Sequence, residues 1–341
     1  MVKYSFGITG VLIFNLSCFP GVCQSDKKPT IVRENYSTKP VAERGLTKTH
    51  NPIISSKYTT DPSAIVFHDT VYLYTGHDEA PAGFQNYVMN DWLCFSSADM
   101  VNWTELPSPL KAKDFTWAKG GAWASQVIER NGKFYWYAAV EHNTIPGRAI
   151  GVAVSGNPAG PFRDARGSAL ITNEMTTVIN SDKDDIDPTV LLDNDGQAYL
   201  FWGNKQCYFA KLKENMIELD GPVRTLELPG FMEGSWISKR NGWYYLLYAY
   251  QFPEKIAYAM SRNIDGPWVF KGIVNDIPVN CITNSPATLD FKGKSYFIYH
   301  NGALPGGGSY RRSVCIDYLF YNADGTLKKV VMTTKGIGST P

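Results

Sequence analysis

The stretch DDIDPTVLLDNDGQAYLFWGN, residues 184–204, holds a short apolar run at Val190, Leu191 and Leu192, a polar turn at Asp193-Asn194-Asp195-Gly196, and a second run rich in aromatics from Ala198 to Trp202. Two short β-prone runs around an Asp/Asn/Gly turn read as a β-hairpin. Apolar side chains stand at odd and even positions alike, so both faces of the hairpin must be covered by other sheets rather than by water. The hairpin begins just after Asp185 and Asp187, and Pro188 biases Asp187 toward an extended or turn conformation. Acidic groups at the mouth of a packed sheet are the feature to explain.

The same unit recurs along the chain. TDPSAIVFHDTVYLYTGHDE starts at Thr60, AWASQVIERNGKFYWYAAVE at Ala122, GSWISKRNGWYYLLYAY at Gly234 and NSPATLDFKGKSYFIYHNG at Asn284, which with the first stretch makes five copies. Between them runs a second pattern of strand, polar turn and short strand, at CFSSADMVNWTEL (Cys94), VAVSGNPAGPFRDA (Val152), FAKLKENMIELDGPV (Phe209), YAMSRNIDGPWVFKG (Tyr258) and CIDYLFYNADGTLKKV (Cys315). Two hairpins per repeat make four antiparallel strands. Five such units at a repeat of roughly 45 to 65 residues predict an all-β, five-bladed β-propeller, whose stacked blades explain strands that are apolar on both faces. A β-sandwich would show cleaner alternation and gives no reason for the repeat.

The chain of 341 residues opens with Lys3, the largely apolar FGITGVLIFNLSCF and Pro20-Gly21-Val22-Cys23, which reads as a secretory signal over residues 1–23 because the apolar core is too short to span a bilayer. A secreted or periplasmic protein is expected. Neither Cys18 nor Cys23 has an aliphatic residue where a lipid-attachment site carries one, which leaves lipid anchoring to the cell surface as the alternative to a soluble product. Residues 24–50 are polar and without period, a linker or N-terminal wrap, and residues 51–341 form the propeller domain. No transmembrane segment is present.

A formal net charge of +1, with neither a basic block nor a basic helix, gives no sign of nucleic-acid or membrane binding, and neither is expected as a partner. Cys94, Cys207, Cys281 and Cys315 are scattered through different repeats without metal-ligand spacing, so free buried thiols are expected. No P-loop, GxSxG elbow or HExxH motif occurs. What remains is acids at matching places: Asp61 before Pro62-Ser63, Asp187 before Pro188-Thr189, Glu233 before Gly234-Ser235. One Asp before Pro is ordinarily a turn-capping carboxylate. Three acids at the same point of three repeats have another reading, since the first strands of propeller blades run along the axis and bring equivalent positions together at one end. Converging carboxylates point to acid/base hydrolysis of a glycosidic bond, one activating water and another protonating the leaving oxygen while a neighbouring negative charge raises its pKa. The aromatic content of 13% suits stacking against sugar rings.

DPSAIVF at Asp61, DIDPTVLL around Asp187 and MEGSW around Glu233, together with the GPF and GPW segments, make the chain from about Asn51 to its end resemble glycoside hydrolase family 43. The resemblance implies an inverting hydrolase with Asp61 as general base, Glu233 as general acid and Asp187 as the acid that tunes and orients the proton donor. It further implies that Arg312, rather than Arg311, faces inward, stands beside Asp187 and keeps it ionised. His300 would lie near the channel centre, binding substrate and holding a structural calcium ion through water, although no cofactor is required. The polar strand end YTGHDEAP either caps a turn or binds sugar hydroxyls, and the resemblance places Asp78 near the sugar. Trp92, Trp123 and Trp236 are expected on the pocket wall, whereas Trp136, Trp202 and Trp243 sit in apolar runs and are expected in the core. The implied activity is release of terminal α-L-arabinofuranose from oligo- or polysaccharides such as arabinoxylan by a monomer. A β-D-xylosidase of the same family and a non-catalytic carbohydrate-binding propeller are the alternatives.

Overall fold

The computed structural model describes residues 50–176, 181 and 183–337. The expected signal segment, and all of the expected linker but His50, lie outside these residues. Within them the chain forms five small antiparallel sheets and a single 3-10 turn, Ala112–Asp114. Blade one is β1 (Thr59–Phe67), β2 (Thr70–His77), β3 (Asp91–Ser97) and β4 (Thr104–Lys111). Blade two is β5 (Ala118–Gly120), β6 (Ser125–Arg130), β7 (Lys133–His142), β8 (Arg148–Ser155), β9 (Arg163–Asp164) and β10 (Ile171–Thr172). Blade three is β11 (Thr189–Leu192), β12 (Ala198–Trp202), β13 (Cys207–Leu212) and β14 (Arg224–Leu226). Blade four is β15 (Phe231–Arg240), β16 (Trp243–Tyr250), β17 (Lys255–Ser261) and β18 (Val269–Asn275), and blade five is β19 (Ala287–Phe291), β20 (Lys294–Asn301) and β21 (Ser313–Tyr318).

The hairpin of residues 184–204 forms as read: Thr189 pairs with Phe201 and Leu192 with Ala198, and the Gly196 N–H closes the turn on the Asp193 carbonyl at 2.9 Å. Its two faces enter different cores. Leu200 and Trp202 pack with Tyr137, Ile150 and Val152 of blade two, while Tyr199 and Phe201 pack with Leu246 and Tyr248 of blade four. Successive side chains of a strand point to opposite faces, so a strand between two sheets must be apolar at every position, and all five residues of β12 are buried.

The first strands β1, β6, β11, β15 and β19 touch one another in that order and β19 touches β1, which makes the sheets a closed ring around an axis. Two blades depart from four simple strands. In blade two the inner position is divided between β5 and β6, which both pair with β7, and the outer position between β9 and β10, which both pair with β8. Blade five has three strands, and the free edge of β21 is completed by the segment before β1, because the Ile53 N–H bonds the Val314 carbonyl at 2.9 Å. The Asn51 amide extends that pairing, accepting from the Ile316 N–H at 2.8 Å and donating to the Ile316 carbonyl at 3.1 Å and the Thr333 carbonyl at 2.8 Å. The start of the domain is thus bonded to its last blade. Asn51→Ala leaves buried peptide groups of β21 unpaired and is expected to cost about 1–3 kcal/mol of stability. Denaturant unfolding checks this, and a change below about 0.5 kcal/mol would show that the amide does not close the ring.

Cys94, Cys207, Cys281 and Cys315 are buried and free. No helix among the described residues is long and apolar enough to cross a membrane.

Candidate active site

The three acids reach the axis because the chain kinks where they stand. The β1–β2 register shifts between Thr60 and Ser63, around Asp61, and the β15–β16 ladder shifts on both sides of Glu233. Asp61 and Asp187 have left-handed backbones, φ 44° and 55°, and beside Glu233 it is Gly234 that takes φ 61°. Of the extended and turn conformations that Pro188 left open, Asp187 takes a turn-type one. Asp is among the few residues that accept this region, and glycine enters it without a Cβ clash. Asp61, Asp187 and Glu233 all line one cavity of about 420 Å³, a volume suited to a small ligand.

Arg148, Lys183 and Arg312 all line this cavity, and Arg312 is almost fully buried at 4% exposure. Its Nε and Nη2 bond the two carboxylate oxygens of Asp78 at 2.9 and 3.0 Å, and its Nη1 lies 3.3 Å from Asp61 Oδ1. The expected placement beside Asp187 is corrected: the guanidinium contacts Asp61 and Asp78. Asp78 is corrected too, since its side chain is sealed from solvent and both its oxygens serve Arg312, whose backbone N–H it also accepts at 2.8 Å. A buried guanidinium needs acceptors for its fixed fork of donors, and the bidentate carboxylate supplies them. His77 and Glu79 bond Asp91 and Asn90 and cap the strand end without lining the cavity. Arg311 turns away, its guanidinium 5.9 Å from the centre of the Tyr58 ring.

Burial raises the pKa of all three acids, with mutual repulsion added. For Asp61, burial pushes up while Arg312 pulls down and Asp78 adds repulsion. For Glu233, burial comes first, then the Asp61 charge, against a hydrogen bond from Asn204 Nδ2 to Oε2 at 2.6 Å. For Asp187, burial and then Glu233 and Asp61 push the pKa well above the ordinary value, opposed by the Gly234 N–H and the Arg312 charge. Its Oδ2 accepts the Gly234 N–H at 2.8 Å and its carbonyl accepts the Ser235 hydroxyl at 3.2 Å. These bonds fix the backbone that carries Glu233.

His300 is fully buried on the cavity wall. Its Nε2 faces the Thr283 carbonyl at 3.1 Å, which can only accept, so Nε2 carries the proton and Nδ1 accepts the Asp61 N–H at 3.3 Å. Burial, then the Arg312 charge, holds the ring neutral.

Of the expected aromatic wall, Trp123 is in place, with the Arg148 guanidinium 4.6 Å from its ring centre and Tyr87 edge-on at 5.5 Å. Trp92 is not on the wall: it is fully buried in the core behind, its Nε1 donating to the Trp123 carbonyl at 2.8 Å. Trp236 packs in the core and borders only the narrow channel below the cavity, donating to Thr288 Oγ1 at 3.0 Å. Trp136 and Trp202 are fully buried, and Trp243 packs half-buried under Arg262. Sequence reading missed Tyr87, Arg148, Asn204, Glu254 and Asn284. Asn204 lies two residues past Trp202, the last strand residue of its hairpin, and Glu254 sits in a tight turn between β16 and β17. Neither position carries a local signal.

The Asn204 contact yields a pH prediction. A donor to a carboxylate favours its charged form, so Asn204→Ala removes what holds the Glu233 pKa down. If Glu233 must be protonated, the basic limb of kcat/KM moves to higher pH, and the maximum falls about 5- to 10-fold with the lost hydrogen bond. An unmoved basic limb would separate Glu233 from that limb.

The sequence model of glycosyl hydrolases family 43 matches residues 49–327. An arabinoxylan arabinofuranohydrolase of Bacillus subtilis (strain 168) is 27% identical, the match covering 96% of this chain and 71% of that protein. Among solved structures, a family 43 β-xylosidase/α-arabinofuranosidase from a compost microbial metagenome, in complex with xylotriose, superimposes with TM-score 0.75 at 28% identity, covering 83% of this chain and 98% of that one. An α-L-arabinofuranosidase from Clostridium thermocellum ATCC 27405 gives TM-score 0.70 at 35% identity, covering 84% and 97%.

Proposed function

Since the chain belongs to glycosyl hydrolase family 43 and is a glycoside hydrolase, we propose that it releases terminal α-L-arabinofuranose from plant polysaccharide side chains such as arabinoxylan, by a single inverting displacement. The observation that carries the reading is the meeting of Asp61, Asp187 and Glu233, from three blades, in one cavity. Asp61 is the general base. Arg312 opposes the burial that would neutralise it, so a proton can pass from water to Asp61 as the water oxygen attacks the anomeric carbon. Glu233 is the general acid: burial and the Asp61 charge keep its proton on until the glycosidic oxygen departs with it. Asp187, by accepting the Gly234 N–H, holds the backbone that carries the donor in position. Trp123 offers the sugar an apolar face.

Support for arabinofuranose comes from what the arabinofuranohydrolase and arabinofuranosidase relatives act on. The compost enzyme, described as both β-xylosidase and α-arabinofuranosidase, favours a second reading in which β-D-xylosides are cleaved by the same acids. Rates on nitrophenyl α-L-arabinofuranoside and β-D-xyloside, with product analysis on arabinoxylan, arabinan and xylo-oligosaccharides, test both. Arabinose from arabinoxylan is expected. Xylose alone would establish the second reading, and sugar binding without turnover of any substrate would leave a carbohydrate-binding propeller.

Family 43 catalysis requires no cofactor. A calcium ion held through water by His300 does not fit the residues present. Nε2 faces the Thr283 carbonyl and Nδ1 accepts the Asp61 N–H, so both ring nitrogens are committed to protein partners rather than to a calcium-bound water. No step is routed through a metal. The leading segment of residues 1–23 supports action outside the cytoplasm, which cell fractionation tests, and the proposed monomeric state is tested by light scattering.

A further inference from the structure

Two polar groups on the cavity wall take no part in the displacement. Glu254 is 2% exposed and Asn284 1% exposed, yet both line the cavity that holds the three acids. The chain anchors them to each other: the Glu254 N–H bonds the Ile282 carbonyl at 3.0 Å, and the Asn284 N–H donates to Glu254 Oε2 at 2.8 Å. Asn284 Nδ2 is committed to the Asn275 side chain at 2.9 Å and the Asp276 carbonyl at 3.1 Å, which fixes the amide plane. Among the described residues, Asn284 Oδ1 then has no hydrogen-bond partner although it is buried, and the Glu254 carboxyl takes only the bond from Asn284. A buried acceptor left without a partner costs free energy, so a fold that keeps one beside a ligand cavity keeps it for the ligand.

We propose that Glu254 and Asn284 form a hydroxyl-reading pair that binds ring hydroxyls of the sugar held at the catalytic acids, and so sets which pentoside is accepted. The inference rests on the glycosidase reading above. Asn284 Oδ1 accepts one sugar hydroxyl, and the Glu254 carboxyl binds a second. Burial, then the charge of Glu233, pushes the Glu254 pKa well above its ordinary value, which favours the protonated form, a donor as well as an acceptor. That matches a hydroxyl, which is both. A site built to bond a substrate hydroxyl rejects an analogue that lacks it, because its own polar groups are stranded.

The test compares wild type, Glu254→Gln and Glu254→Ala on nitrophenyl α-L-arabinofuranoside and β-D-xyloside and on analogues of each lacking one hydroxyl. In wild type, removal of the hydroxyl that is read lowers kcat/KM by about 10- to 100-fold. In Glu254→Ala the same removal costs little further, and Glu254→Gln, which keeps a donor and an acceptor, lies between. Equal losses in wild type and Glu254→Ala for every analogue, with normal folding by circular dichroism, would overturn the proposal and leave Glu254 a packing residue. Should the alanine variant not fold, the same comparison with Glu254→Gln decides. Failure of wild type to cleave either pentoside would count against the activity instead, and calorimetric binding of L-arabinose, D-xylose and their deoxy forms to wild type and Glu254→Gln would then test the pair alone.

Discussion

Glu233→Gln removes the proton donor without altering the shape of the site, and hydrolysis of arabinoxylan is expected to fall by about 10² to 10⁴, the usual contribution of a positioned acid. Glutamine fills the same space and can still meet Asn204 Nδ2, which lies 2.6 Å from the native carboxylate, so the fold is retained. The loss should depend on the leaving group. A sugar hydroxyl departs only with a proton, whereas nitrophenolate departs nearly unaided, so the variant keeps far more of its rate on nitrophenyl glycosides. Asp61→Asn removes the base instead and lowers both rates alike, because water must be activated whatever leaves. Wild-type activity requires Asp61 ionised and Glu233 protonated. Burial raises both groups, so both limbs of the kcat/KM profile are shifted to higher pH than free carboxylates would give. Glu233→Gln loses the basic limb and Asp61→Asn the acidic one. An equal loss on both substrates in Glu233→Gln would remove it from the role of acid.

Arg312→Met is expected to be the most damaging single change to the fold among the site residues. The guanidinium bonds Asp78 with two nitrogens and stands 3.3 Å from Asp61, and Asp78 is sealed from solvent. Removal of the cation strands a buried carboxylate, at about 3–5 kcal/mol. The double variant Asp78→Leu/Arg312→Met removes both partners and should recover much of that stability, since an apolar pair of similar volume is often no worse than the ion pair. Activity should not return. Without Arg312 the burial of Asp61 is unopposed, its pKa rises further, and residual activity has its acidic limb at higher pH. Recovery of both stability and rate in the double variant would show that Arg312 serves only to neutralise Asp78.

The ring of blades was legible because each strand must satisfy two cores at once, and β12 shows it residue by residue: alternate side chains enter different clusters, so the usual polar alternation is missing. The split strands of blade two were not legible. Two- and three-residue strands carry no period, and β9 and β10 lie in a segment rich in Gly, Pro and Arg. Completion of blade five by Asn51 was hidden because a side-chain amide there stands in for a strand peptide. The three acids could be found because they stand at one matching place in the first, third and fourth repeats, and the family resemblance picked Arg312 over Arg311 as the inward-facing arginine. Its partner could not be read the same way, since whether it meets Asp61 or Asp187 depends on how blades one, three and five are spaced around the axis. Trp92 and Trp236 failed as wall residues for a related reason. In a strand covered on both faces, an aromatic is core by default, and exposure at the mouth is a matter of height along the axis rather than of residue type. Glu254 and Asn284 meet only through the turn before β17 and the chain before β19, segments far apart in sequence.

The first-formed anomer, followed by proton NMR during hydrolysis of nitrophenyl α-L-arabinofuranoside, tests most directly the claim that Asp61 and Glu233 act on a single water and a single leaving group in one cavity. The account predicts β-L-arabinofuranose appearing first, with the α anomer growing in only by mutarotation. Initial release of the α anomer would require a covalent intermediate on one of the carboxylates and would contradict it.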